Sequence, residues 1–165
     1  MRSIPQRGFP RSEFETRTWR AQQKMLELEV DALLLTTEPQ VRYFSGFLTQ
    51  FWLSPTRPWF LIVPLQGKPI AVIPTIGEVG MRETWLDDVR CWSSPQPEDD
   101  GISLLNSTLR ELPSRFGRLG VPLGPETHLR MPAANFEQLR DTLHPAAFVD
   151  CSRLLTELCM IKSQT

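Results

Sequence analysis

Two tryptophans, a phenylalanine and an arginine crowd into one short stretch, Gln50-Phe51-Trp52-Leu53-Ser54-Pro55-Thr56-Arg57-Pro58-Trp59. An arginine guanidinium is a planar fork that pairs with a carboxylate through two parallel hydrogen bonds, and an indole face can stack on it. The prolines at 55 and 58 restrict the backbone, so such groups would be partly arranged before a ligand arrives. Trp52, Arg57 and Trp59 are therefore the expected substrate-contacting residues. An alternative stays open from sequence: Trp59 starts a buried strand, Trp52 seals the core edge and Arg57 is solvated.

Other chemistry is sparse. The chain contains no G-x-S-x-G elbow, no Walker A loop and no G-x-G-x-x-G. Its two histidines, His128 and His144, lack a second His or Cys at ligand spacing, so neither a catalytic residue nor a metal site is expected here. Cys91 and Cys151 fall in predicted strands and Cys159 on an apolar helix, the surroundings of inert buried thiols. Glu98-Asp99-Asp100 reads as a solvated helix-capping run rather than a cation site. Gly117, Gly120 and Gly124 read as turn glycines bracketing a strand. Asn106-Ser107-Thr108 matches a glycosylation sequon but lies in a helical pattern, and the match is taken as fortuitous.

Composition bounds the partners. Lys and Arg total 18 against 19 Asp and Glu, a net charge of −1 that supplies no phosphate-tracking stripe for nucleic acid and no basic field for an anionic membrane. Apolar residues make up 41% of 165 residues, enough for one ordinary globular core. The longest apolar run, Trp59–Leu65, is too short to span a bilayer. Three scattered cysteines and no apolar leader suit a reducing cytoplasm.

The elements that must position these residues follow from periodicity. Ser12 and Glu15 form a capping-box pattern for a helix starting near Glu13, with Phe14, Thr18, Ala21, Met25 and Leu28 on one stripe and Arg17 among the residues off it. Ala32–Thr36 is a continuous apolar run, a strand covered on both faces. Pro39 starts a short helix over residues 40–44, which Ser45-Gly46-Phe47 ends, and an irregular loop runs over 48–58. Trp59–Val63 and Ile70–Ile73 form a hairpin. Then come a helix over 77–86, a strand over 89–92, a helix carrying Ile102, Leu105, Leu109 and Leu112, a strand over 118–123, a helix carrying Phe136, Leu139 and Leu143, and a strand over 147–151. A terminal helix over 152–163 has an apolar face, Leu154, Leu155, Leu158 and Ile161, that needs a cover. This alternation predicts an α/β fold, a three-layer α/β/α domain with a mixed, mostly central sheet.

Several stretches together resemble the N-terminal domain of the creatinase/prolidase (pita-bread) metallohydrolase family. They are Phe14–Met25 leading into Val30-Asp31-Ala32-Leu33-Leu34-Leu35-Thr36, the turn Val41-Arg42-Tyr43-Phe44-Ser45-Gly46-Phe47, and Phe148-Val149-Asp150 running into Leu154 to Met160-Ile161-Lys162-Ser163. The resemblance implies an irregular arm (1–11), the N-terminal-like domain (12–151), and the start of a connector helix (152–165) to a C-terminal catalytic domain. It implies an active site in that second domain, with two divalent metals (Mn, Co or Zn) in the peptidases and none in creatinase. It also implies that this domain caps the active-site entrance, supports a homo-oligomer, most simply a dimer, and places an aromatic and an Arg from the loop after the Ser-Gly turn near a neighbouring subunit's substrate carboxylate. Trp52 and Arg57 lie in the matching loop. The leading expectation is thus a non-catalytic domain of an Xaa-Pro peptidase-like or creatinase-like hydrolase. The alternatives are a free-standing α/β module that captures a small carboxylate with Arg57, and a self-contained enzyme using Cys or carboxylates.

Overall fold

A computed structural model of the chain describes residues 8–54 and 57–162, and expectations that fall on residues 1–7, 55–56 and 163–165 lie outside them. Six strands form one mixed sheet in the order β4-β3-β2-β1-β5-β6: β1 (Ala32–Leu35), β2 (Phe60–Pro64), β3 (Ile70–Pro74), β4 (Asp88–Trp92), β5 (Arg118–Val121) and β6 (Ala147–Asp150). The β2–β3 hairpin pairs antiparallel, as its short Gly-containing turn predicts, and β2 is antiparallel to β1. The remaining pairs, β3–β4, β1–β5 and β5–β6, are parallel.

Side chains alternate across the sheet and divide the core in two. Leu33, Leu35, Leu61, Val63 and Ile73 face α1 (Arg11–Glu27), α2 (Glu38–Ser45), α3 (Glu78–Arg82) and α6 (Ser152–Met160). Ala32, Leu34, Phe60, Ile62 and Val72 face α4 (Ile102–Arg110) and α5 (Ala133–Thr142). The three-layer α/β/α arrangement is the one the alternating elements predict, and covering both faces explains why the central strands read as unbroken apolar runs.

Several local expectations are corrected. Helix α1 begins at Arg11 behind Pro10, without a side-chain cap, so Ser12 lies inside the helix and the capping box does not form. Arg17 belongs to the buried stripe, only 8% exposed: its Nε donates to Glu13 Oε1 (2.9 Å), its Nη1 donates to the Tyr43 carbonyl (3.0 Å), and the guanidinium lies 4.3 Å from the Phe9 ring centroid. Aromatic faces and a carbonyl replace water around that charge. Leu28, expected on the buried stripe, is 46% exposed.

Helix α3 is shorter than periodicity suggests, a 3-10 turn over Thr75–Gly77 followed by five residues. Thr84 accounts for its end, because its hydroxyl donates to the Met81 carbonyl (2.6 Å) and competes with the helical ladder. The loop over 48–58, expected to be irregular throughout, contains a 3-10 turn at Gln50–Leu53. Gly120 lies within β5 rather than in a turn, where an added Cβ would sit 2.5 Å from Cys151 Sγ. Helix α6 ends at Met160, and most of its apolar face is covered within this fold: Leu154, Leu155 and Leu158 enter the core beside Ala21 and Met25 of α1, Tyr43 donates its hydroxyl to the Leu158 carbonyl (3.0 Å), and Ile161, beyond the helix end, stays 50% exposed.

The first turn of the sheet depends on Asp31, buried at 5% exposure just before β1. Its carboxylate accepts the backbone N–H groups of Arg115, Phe116, Gly117 and Arg118 at 2.7–3.2 Å. Its own N–H donates to the Arg118 carbonyl, and its carbonyl accepts from Leu65 N–H, both at 2.8 Å. Removing the carboxylate strands several donors at once, each worth about 1–3 kcal/mol if left unmet. Asp31→Ala is expected to lower unfolding stability by about 3 kcal/mol or more in denaturant titration; a loss below about 1 kcal/mol would show that these donors find water instead.

Candidate functional site

The aromatic and arginine loop lies at the carboxyl ends of β1 and β3, the edge at which open α/β sheets bind ligands. It is launched by a tight turn. Gly46 adopts φ 74° at the end of α2, a left-handed conformation open to glycine, and its N–H reaches the Arg42 carbonyl. Ser45 Oγ donates to the Val41 carbonyl (2.6 Å) and accepts from Phe47 N–H (3.0 Å), which turns the chain toward the sheet. Thr49 Oγ1 then accepts from Phe51 N–H and opens the 3-10 turn that carries Trp52.

Phe47, Trp52 and Trp59 form an aromatic stack: the centroids of Phe47 and Trp59, and of Trp52 and Trp59, are each 5.4 Å apart. Trp59 is 1% exposed and Trp52 7%. Gly77 makes room for this stack, since a Cβ there would fall 2.2 Å from the Trp59 ring. Both tryptophans, expected to contact a substrate, lie buried in this domain, with their rings packed on each other, on Phe47 and against Gly77. Neither indole N–H has an acceptor among the described residues, so these rings contribute through packing.

Arg57 differs. It is half-buried, has a left-handed φ of 62°, and its guanidinium makes no hydrogen bond or ion pair with the described residues. A second arginine, which sequence reading passes over, completes the site. Arg130 Nη1 donates to the Arg57 carbonyl (3.1 Å), Nη2 donates to the Ser54 carbonyl, and the guanidinium lies 5.4 Å from the Trp52 ring centroid. Arg130 N–H donates to Thr36 Oγ1 (2.8 Å) at the end of β1, and Thr36 is fully buried. Burial lowers the Arg130 pKa below the ordinary guanidinium value. No local pattern marks this residue, since its partners lie more than 70 positions earlier. Around the loop, Leu48, Leu53, Ile76 and Val79 are exposed at 52%, 88%, 48% and 76%.

The fold, the loop and the flanking segments match one known family. The model of the creatinase/prolidase N-terminal domain aligns with residues 17–161. The chain belongs to that family. A curated relative, an uncharacterized hydrolase/peptidase of Sinorhizobium fredii, is 27% identical across 94% of this chain and 40% of its own length. The chain thus spans about 40% of that relative. Among solved structures, the prolidase of Thermococcus sibiricus has a TM-score of 0.71 at 20% identity, with 91% of this chain and 38% of that one covered. The dipeptidase PepE of Mycobacterium ulcerans has 0.68 at 23%, covering 94% and 39%. A creatinase/prolidase N-terminal domain from an X-Pro dipeptidase of Streptococcus pyogenes, solved as a separate chain, has 0.67 at 10%, covering 86% and 98%.

Other titratable groups of this creatinase/prolidase N-terminal domain serve its own fold. Asp99 Oδ1 accepts from Ser103 N–H and Oγ, capping α4 as the acidic run suggests. No group of three or more His, Cys, Asp or Glu among the described residues could hold a metal ion. Cys151 is buried just before α6, and burial pushes its thiol up to about 11; burial also raises Cys91 and Cys159, which are half-buried. With the thiolate the reactive form, about one part in a thousand of Cys151 is ionised at pH 8. Alkylation of native protein at that pH should leave Cys151 unmodified by mass spectrometry while denatured protein reacts at all three cysteines; fast native labelling of Cys151 would contradict its burial.

Proposed function

We propose that this chain acts as the non-catalytic N-terminal domain of an Xaa-Pro peptidase-like or creatinase-like hydrolase, capping the active-site entrance of a following catalytic domain and carrying homo-oligomer contacts. The family match over residues 17–161 carries the reading. Similar solved structures include a prolidase and a dipeptidase, which points to Xaa-Pro peptides or related small amides as substrates of the complete protein. In this reading, two divalent ions of the Mn, Co or Zn type serve a peptidase parent from the catalytic domain. The donor set described here does not fit a metal, and no step is assigned to one in this chain.

Arg57 is the residue of this domain that meets substrate, through the substrate's carboxylate. Its guanidinium lacks an ionic partner among the described residues, and two parallel N–H···O bonds suit a carboxylate. Trp52 and Trp59 support it by stiffening the loop from beneath. The exposed Leu48, Leu53, Ile76 and Val79 around the same loop favour a second copy, a dimer, as the cover for that edge. No described helix is long and apolar enough to cross a membrane. Nucleic acid and membrane surfaces are not among the proposed partners, given the balanced charge, and the cytoplasm is the proposed location.

The lack of an ionic partner for Arg57 equally favours a free-standing carboxylate-binding module, and one experiment separates the two. The 165-residue chain and the full-length protein are assayed side by side with an Xaa-Pro dipeptide and added divalent metal. Hydrolysis by the full-length protein alone, with light scattering reporting a dimer, is the expected result. Millimolar or tighter carboxylate binding by the isolated chain in calorimetry, lost in Arg57→Ala and without hydrolysis by either protein, would favour the binding module and overturn the reading.

A further inference from the structure

The backbone at Arg57 is held against its own preference. A left-handed φ costs a non-glycine residue about 1–2 kcal/mol, and the following Pro58 disfavours helical conformations at the preceding position. Such a conformation persists where surrounding contacts determine it. The side chain of Arg57 forms none of these contacts with the described residues, so its carbonyl is where the hold is applied.

We propose that Arg130 is the positioning residue for Arg57, a clasp that grips the carbonyls of Ser54 and Arg57 and so aims the Arg57 guanidinium at the carboxylate of a substrate. This rests on the reading of Arg57 given above. The guanidinium of Arg130 suits the task because its fork directs separate N–H groups at two carbonyls while its face lies against Trp52. The donor is a cationic guanidinium, so both bonds to these carbonyls are charge-assisted. The clasp is anchored at its other end as well. Arg130 N–H is tied to Thr36 Oγ1, and Thr36 follows β1 in the middle of the sheet.

Two consequences follow from this division of labour. Arg130 directs donors into the loop and does not compete for the substrate, whereas Arg57, fixed through its main chain, keeps its side-chain donors for a ligand. Substrates with a free carboxylate should depend on the clasp, and substrates with that carboxylate amidated should not. Lysine is a poor replacement, since an ammonium is a point charge that cannot span two carbonyls and stack on an indole together.

The test uses the full-length protein with Ala-Pro, its C-terminal amide and hydrogen exchange read by mass spectrometry. Arg130→Met is expected to raise KM for Ala-Pro about tenfold, the worth of one charge-assisted hydrogen bond, with kcat and the KM for the amide unchanged. The same variant should speed exchange in the peptide containing residues 50–59 about tenfold or more, the equivalent of losing that bond, while β1 and β5 keep their protection. Arg130→Lys should restore less than half of either effect. Unchanged exchange in residues 50–59 would overturn the clasp, as would equal changes in KM for the acid and the amide. Arg57→Ala separates the two layers: if it leaves KM for Ala-Pro unaltered while Arg130→Met still loosens the loop, the clasp holds and the substrate role of Arg57 falls.

Discussion

Strand β1 is pinned at both ends by polar side chains that reach the segments flanking β5, and the site depends on that constraint. Before it, the Asp31 carboxylate gathers four consecutive backbone N–H groups from residues 115–118. After it, Thr36 Oγ1 holds the N–H of Arg130. Parallel strands gain less per residue from their slanted ladder than antiparallel ones, and β1–β5 is a short parallel pair inside the sheet. Fixing both flanks supplies the register that two paired positions alone would specify weakly. It also carries the order of the sheet out to the loop on the carboxyl edge, because Arg130 is itself the contact to Ser54 and Arg57.

The loop shows how apolar and ionic groups share one task. Phe47, Trp52 and Trp59 supply rigid surface with few rotatable bonds, and they are buried deeply enough to serve as a floor rather than as a binding face. Arginine then serves twice in different states. At Arg130 it is half-withdrawn from water and bonded to carbonyls; at Arg57 its side chain makes no hydrogen bond or ion pair with the described residues. The same device recurs where Arg17 packs against Phe9, Phe14 and Tyr43 and braces α1 against α2. In both places a guanidinium bridges main-chain carbonyls and aromatic rings where water is scarce, a role that lysine fills poorly.

Much of the architecture was legible in the chain itself. Ala32–Leu35 and Phe60–Pro64 are apolar without interruption because both faces of the sheet are covered, and the turn at residues 65–69 makes a hairpin of β2 and β3. The Ser45-Gly46-Phe47 turn carries its own chemistry, a serine cap and a left-handed glycine, so its form follows from neighbouring residues. The stripe of α1 was legible as far as Met25, and the aromatic loop was visible as a concentration of unusual residues. Element ends were less so, since Thr84 and Pro10 set helix limits through single hydrogen bonds and backbone restrictions that periodicity does not register.

What sequence alone determined is therefore the set of elements, the family they belong to, and the loop in which aromatic residues and an arginine are concentrated. Which faces of that loop remain available was decided by the tertiary structure. Trp52 and Trp59 look like binding residues in a linear reading, and packing against Phe47 and Gly77 turns them inward. Arg130 looks like one surface cation among many, and a contact 73 residues away places it at the site. The terminal helix looks unpartnered in a linear reading, and α1 packs over its Leu154, Leu155 and Leu158. The physical reason is common to all three: local periodicity reports which side of an element avoids water, whereas the partner that occupies that side is brought in by chain closure across the fold.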